Sequence, residues 1–197
     1  MKCLRHLSLD IPSYYAPLFG NQFRQDRLAM RRVRSAVVAP YCEFVIHFSP
    51  NISSVSTNEK WWLDPKGNPA LRLITAAGTT VTIVEFEAHF DQWTVPLAEA
   101  LRHALPNVRA LTIRGQCPLS KILTIVIKMK SIEKLVLADI DYLDFRRDTK
   151  RGTSAEERVA AVVAPRMKAL QTLRVGESTF EVIREKHGAY KGLEKQS

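Results

Sequence analysis

Cysteine is scarce in this chain and badly spaced for chemistry. Only Cys3, Cys42 and Cys117 occur, odd in number and far apart. No Cys-x-x-Cys or mixed Cys/His spacing is formed, which excludes a disulfide framework and a structural zinc site and points to a reducing compartment. Glycine is equally sparse. The eight glycines build no G-x-G-x-x-G, no P-loop and no G-x-S-x-G, so the loops that cradle phosphates and the turn that presents a serine nucleophile are excluded. Long apolar runs are also missing. The longest, Ile122 to Ile127, is far short of a membrane span. The opening MKCLRHLSLD is broken by Arg5, His6 and Asp10 and so lacks the apolar core of a secretion signal. A cytoplasmic or nuclear protein with no membrane contact is expected.

With 197 residues, 46% of them apolar and 25% charged, the chain has the composition of an ordinary folded protein. A chain of this length buries about 70% of its unfolded surface and needs no metal or disulfide to fold. The net charge of +9 admits nucleic acid or an acidic protein as partner but does not bear on the fold.

What the chain does contain is a repeat. Leu4, Leu7 and Leu9 form L-x-x-L-x-L. The pattern returns at Val108, Leu111 and Ile113, at Ile132, Leu135 and Leu137, and at Leu170, Leu173 and Val175. Two weaker copies read as Ile52, Val55 and Thr57, and as Val81, Val84 and Phe86. The last two positions of each copy lie two residues apart, so they share one face of a strand, while the residues between them face the other way. Leu7, Leu9, Val84, Phe86, Leu111, Ile113, Leu135, Leu137, Leu173 and Val175 are therefore expected to be buried.

Helical signals separate the copies. Asn68-Pro69 followed by ALRLITAA and Gly78 gives a start and a stop. Thr94 opens a segment with Leu97, Ala100, Leu101 and Ala104 on one face, closed by Pro106. Pro118 opens LSKILTIVIKMK. Ser154 with Glu157, and Ser178 with Glu181, form two capping-box patterns. Copies at 52, 81, 108, 132 and 170 are 29, 27, 24 and 38 residues apart, mostly near the leucine-rich-repeat range of about 20–29 residues. The interval from 4 to 52 is too long for one repeat and reads as a long helix over 21–39 and an extra strand over 43–48. The expected fold class is α/β: an irregular leucine-rich-repeat solenoid with a curved, mostly parallel sheet and helices on its convex side. One domain spans 1–197, with a polar loop insertion at 141–152 and a flexible tail at 189–197. The asparagine that usually follows such a strand is missing. Pro12, Lys60, His89, Gln116, Ile140 and Ser178 stand in its place, so no asparagine ladder forms and the turns are irregular.

The segments LRHLSLDIP, FVIHFSPNISSV, LPNVRALTIRG, SIEKLVLADIDY and LQTLRVGE resemble the repeat region of fungal F-box proteins. The resemblance implies a substrate-recruiting surface of a ubiquitin ligase adaptor. No F-box precedes Leu4, so a fragment of a longer protein, or a diverged copy, is expected.

Chemistry-bearing residues are few. Glu85, Glu87 and His89 alternate along VEFEAHF as metal ligands or an acid–base pair would, but the same alternation describes the solvated face of a strand. Cys117 sits before Pro118, where a helix start lowers a thiol pKa; a small packed side chain is the simpler reading. Trp61 and Trp62 have only Lys60 and Lys66 near them, too little for a base-stacking platform. Arg24, Arg27, Arg31 and Arg34 recur at helical spacing as a basic stripe beside Phe23, Met30, Val33 and Val37, which suits phosphates or an acidic partner. Neither catalysis nor a cofactor, metal or small-molecule substrate is expected. The expected partner is another protein, docked on the concave strand residues Glu85, Glu87, Thr112, Arg114, Lys134 and Arg174. The alternative is a basic nucleic-acid-associated protein. The first strand, starting at Leu4, is expected to leave an unprotected, association-prone edge.

Overall fold

The computed structural model describes residues 4–12, 14–39, 41–57, 69–80, 82–89, 95–115, 119–139 and 153–196. Seven parallel strands come first: β1 (His6–Leu9), β2 (Ser35–Val38), β3 (Ser54–Thr57), β4 (Glu85–His89), β5 (Ala110–Arg114), β6 (Lys134–Ala138) and β7 (Thr172–Val175). An antiparallel hairpin, β8 (Ser178–Arg184) and β9 (Tyr190–Gln196), completes one nine-stranded sheet in strictly sequential order. The helices between are α1 (Ala16–Gln25), α2 (Phe44–His47), α3 (Pro69–Gly78), α4 (Val95–Ala104), α5 (Leu119–Val126) and α6 (Ala155–Val163), the last followed by a 3₁₀ turn at Ala164–Arg166.

Because each crossover is right-handed and the strand order never reverses, the helices fall on one face of the sheet. Burial agrees. Along β5 and β6 the residues facing the helices are buried and those between them are not. Neighbouring helices pack in sequence, α2 on α3, α3 on α4 and α4 on α5. At the α3–α4 contact a Cβ on Gly78 would stand 2.8 Å from the Ala104 Cβ, so this glycine serves close approach as well as ending the helix.

One hydrogen-bond unit recurs at every parallel step. The residue before each strand turns its carbonyl to two amides of the next strand's entrance. The Arg5 carbonyl accepts from Arg34 and Ser35, that of Arg34 from Ser53 and Ser54, that of Ser53 from Val84 and Glu85, that of Val84 from Arg109 and Ala110, that of Arg109 from Glu133 and Lys134, and that of Glu133 from Gln171 and Thr172, all at 2.7–3.1 Å. Side chains reinforce it. Asn51 donates to the Arg31 carbonyl at 2.9 Å, Thr82 to that of Ile52 at 2.5 Å, and the Ser131 hydroxyl lies 2.8 Å from the Pro106 carbonyl. These polar residues immediately precede Ile52, Ile83 and Ile132, the first buried position of their copies. A polar ladder exists after all, at the strand entrance rather than the exit.

Several sequence expectations are corrected. The helix over 21–39 ends at Gln25. Arg27 adopts a left-handed conformation, φ 51, with its amide on the Arg24 carbonyl and the Leu28 amide on that of Phe23. This is a Schellman C-cap with arginine in the place glycine usually takes, so the sequence carried no visible stop. Arg24, Arg27, Arg31 and Arg34 therefore do not share a helix stripe; only Arg24 is helical. The segment after it is a missed repeat copy, Val33, Ala36 and Val38, all buried. The stretch 43–48 holds the single-turn α2 and no strand; Phe44, Val45 and Ile46 are buried consecutively, a pattern that fits either state. The copy read as Val81, Val84 and Phe86 is shifted by two: β4 aligns Phe86 with Leu111 and Ala88 with Ile113, Ile83 is buried and Val84 only half-buried. Ser178 and Glu181 cap no helix. Gly176, φ 55, makes a two-residue turn, after which Phe180 and Val182 alternate inward along β8. The expected flexible tail pairs as β9 through Gln196. Leu7 and Leu9 are half-buried, since β1 has a neighbour on one side only. With β2 recognised, strands start at 6, 35, 54, 85, 110, 134 and 172, with spacings of 29, 19, 31, 25, 24 and 38 residues. The capping box at Ser154 and Glu157 is formed, with both reciprocal bonds present. Cys3, Trp61, Trp62, Cys117 and the 141–152 insertion lie outside the described residues.

Arg184 ties the hairpin to the helical layer. Its guanidinium donates to the carbonyls of Met167 at 2.6 Å and Ala164 at 3.2 Å, past the end of α6, and to that of Gly188 at 3.3 Å.

Two outcomes follow from this packing. Leu135 is fully buried in the middle of the sheet, so Leu135→Ala should lower unfolding free energy by about 2–5 kcal/mol in urea titration. Arg184→Met should cost about 1.5–3 kcal/mol by losing charged-donor bonds, with amide exchange accelerating in β8 and β9 before the parallel strands.

Candidate functional site

The face of the sheet opposite the helices is built by default. Each strand turns every second residue inward, and what remains points out. Lateral register then aligns these outward residues into rows. One row runs His6, Ser35, Ser54, Glu85, Ala110, Lys134 and Thr172; the next runs Ser8, Val37, Ser56, Glu87, Thr112, Val136 and Arg174. All six sequence-selected residues, Glu85, Glu87, Thr112, Arg114, Lys134 and Arg174, stand on this face. Ile83 does not; it is buried, and His89 takes the outward place further along β4.

The structure separates these six by role. Arg114 Nε donates to Glu87 Oε1 at 2.7 Å, each side chain about one-third exposed, so this pair neutralises itself across β4 and β5. Arg174 bends to its own turn, donating to the Gly176 carbonyl at 3.0 Å and to Glu177 at 3.2 Å. Glu85 and Lys134 have no side-chain partner among the described residues. They flank Ala110, two strand spacings apart, about 10 Å. Between them lies a shallow depression of about 180 Å³, floored by Ala110 and Thr112 and continued by Ser54 and Ser56. The sequence expectation of an acidic middle and a basic side holds in outline, but the cation that balances Glu87 is internal.

Sequence reading missed Ser35 and Val37 on this face because it missed β2. The only signal was Val33-x-x-Ala36-x-Val38, weakened by an alanine in the leucine position. His6 Nδ1 lies 2.6 Å from Ser35 Oγ, a contact between exposed residues with no third group to orient the imidazole. Glu85, Glu87 and His89 do share β4, but Glu87 is engaged by Arg114. Among the described residues no cluster of three or more His, Cys, Asp or Glu side chains is placed to hold a metal. The sequential strand order also lacks the reversal point at which doubly wound sheets open a ligand crevice.

Two shifted ionisable groups lie away from this face. Burial pushes the Cys42 thiol up, which disfavours its thiolate. The Arg102 hydrogen bond holds the exposed Glu99 carboxyl below its usual range, helped by Lys128, on α4 and α5. No described helix is long and apolar enough to cross a membrane.

Because Glu87 and Arg114 are each about one-third exposed, a double-mutant cycle with Glu87→Gln and Arg114→Gln should give a coupling of about 0.2–1 kcal/mol. The coupling should shrink in high salt; a salt-independent value would show that the pair is more sequestered than its exposure indicates. Compared with family models, curated proteins and solved structures, the chain matches none.

Proposed function

We propose that this chain is an irregular leucine-rich-repeat solenoid that binds another protein on its open face, and that it recruits a substrate as the F-box-type proteins it resembles do. The observation that carries the reading is the hydrogen-bond step repeated at all six parallel junctions, which makes each strand–helix unit a copy of the last. Strands stack about 4.8 Å apart while helices are about 10 Å wide. A one-sided helical layer therefore bends the sheet so that its bare face is concave. In this reading the chain works by binding, without catalysis or cofactor.

The depression suits an extended segment laid across the strands. A basic group opposite Glu85 and an acidic group opposite Lys134 would be about 10 Å apart, three residues of extended chain. Such complementarity sets register and association rate more than affinity. Glu85→Lys with Lys134→Glu, and separately Arg114, Arg174 and Lys134 all changed to Glu, should each weaken retention of a cellular partner at least about tenfold. Retention that survives both reversals but is lost on deleting 141–152 would place binding on that insertion instead.

A second reading, nucleic-acid binding, is favoured by the net charge of +9 and by Arg24, Arg27, Arg31, Arg32 and Arg34, all exposed within one segment. Steeply salt-dependent binding to mixed DNA or RNA would support it; weak binding with a flat salt slope would remove it.

A further inference from the structure

The two ends of the sheet differ. The last strand, β9, carries Lys191, Glu194 and Lys195, and charge on an edge strand opposes further pairing. The first strand, β1, reads His-Leu-Ser-Leu. The helix that follows it, α1, leaves Leu18 62% exposed and Phe19 47% exposed, with Tyr15 at 47% beside them. Singly such residues are ordinary, but grouped on the terminal helix of a layer they mark a contact surface.

The backbone of β1 shows what the edge can accept. The Arg5 carbonyl accepts from Arg34 and Ser35, and the Leu9 carbonyl from Ala39. Arg5, Leu7 and Leu9 thus spend their backbone groups on β2. By the alternation of a strand, His6, Ser8 and Asp10 turn theirs to the outer edge, where the sheet has no further strand among the described residues.

We propose that two copies of this chain pair through β1, antiparallel about a twofold axis that passes through Ser8. An axis perpendicular to the sheet keeps both helical layers on one face, which requires facing residues to share a side. With the hydrogen-bonding positions fixed as His6, Ser8 and Asp10, one register also matches the side chains. Ser8 faces Ser8 of the second copy. Leu7 faces Leu9, a close apolar pair on the helical side, and His6 faces Asp10, imidazole against carboxylate, on the open side. Shifting the register by two residues sets His6 against Ser8 and leaves Asp10 opposite Leu4, which loses the complementarity. His6 uses Nδ1 toward Ser35, leaving Nε2 for the second copy. The seam brings the α1 helices to the same side, where Tyr15, Leu18 and Phe19 close over it. The occupant is therefore a second copy of this chain, matched by its own edge. This proposal rests on β1 and α1 and is independent of the open-face reading.

The test exploits the outward amide of Ser8. Ser8→Pro removes that donor while leaving every β1–β2 bond in place, since proline is tolerated where an edge N–H faces solvent. Ser8→Lys sets two ammonium groups against each other at the axis. Sedimentation of the parent chain from low-micromolar to submillimolar concentration should show the mass doubling, and both variants should remain monomeric with an unchanged circular dichroism spectrum. If Ser8→Pro fails to fold, Ser8→Lys alone carries the comparison. For the register, Ser8→Cys in a Cys3→Ser, Cys117→Ser background, with Cys42 closed in the core, should form an intermolecular disulfide under mild oxidant, because facing residues of this kind lie about 5.5 Å apart. His6→Cys in the same background should not. A parent chain monomeric throughout, a dimer that both Ser8 variants leave intact, or crosslinking through His6→Cys but not Ser8→Cys would overturn the proposal.

Discussion

Everything in this structure depends on a carbonyl that accepts two amides. At each parallel junction the residue before one strand holds the entrance of the next, and it does so six times from Arg5 to Glu133. The bond fixes the lateral register, so that Leu7, Ala36, Val55, Phe86, Leu111, Leu135 and Leu173 stand side by side. A slip of one residue would turn the whole apolar set to solvent. Buried polar groups at the entrance would be costly unmet, and Asn51, Thr82 and Ser131 meet them with side chains drawn from three different residue types. That variety is why no single-residue ladder is legible in the sequence.

A stack of this kind has to solve its ends separately, because a terminal unit has a neighbour on one side only. At the C-terminal end the chain reverses direction at Gly176 and lays down a hairpin with a charged outer strand. Arg184 reaches back from it to the carbonyls left open beyond α6. Those carbonyls have no intrahelical donor, so a guanidinium with several donors fits them well. The N-terminal end has no such device among the described residues, and there the half-buried leucines of β1 and the aromatic side of α1 meet solvent.

The bare face gains its character from subtraction. Residues on it are those the core did not take, and the charges that remain effective are those not already answered. Glu87 and Arg114 answer each other, and Arg174 is drawn to its own turn. Glu85 and Lys134, separated by an alanine, keep their charge for whatever docks. The six candidate residues were legible because strand alternation follows directly from L-x-x-L-x-L. Their division into paired and unpaired was not legible, because Glu87 and Arg114 are 27 positions apart and meet only through the β4–β5 register.

The sequence alone determined the alternation of strand and helix, the parallel class of the sheet, the clean copies at Leu111, Leu135 and Leu173, and the capping box at Ser154. These are local patterns whose period is imposed by backbone geometry. Tertiary structure decided the remainder. Val33 to Val38 has spacing that serves a helix or a strand, and only the free place between β1 and β3 selects the strand. Arg27 ends α1 by adopting a conformation that its residue type disfavours, so the stop is enforced by the Schellman bonds and not announced by glycine. Ser178 and Glu181 match a helix cap, yet the unfilled edge of β7 draws them into a strand, since an open ladder offers more bonds than an isolated turn of helix. In each case the local preference was close to even, and the neighbour that needed a partner settled it.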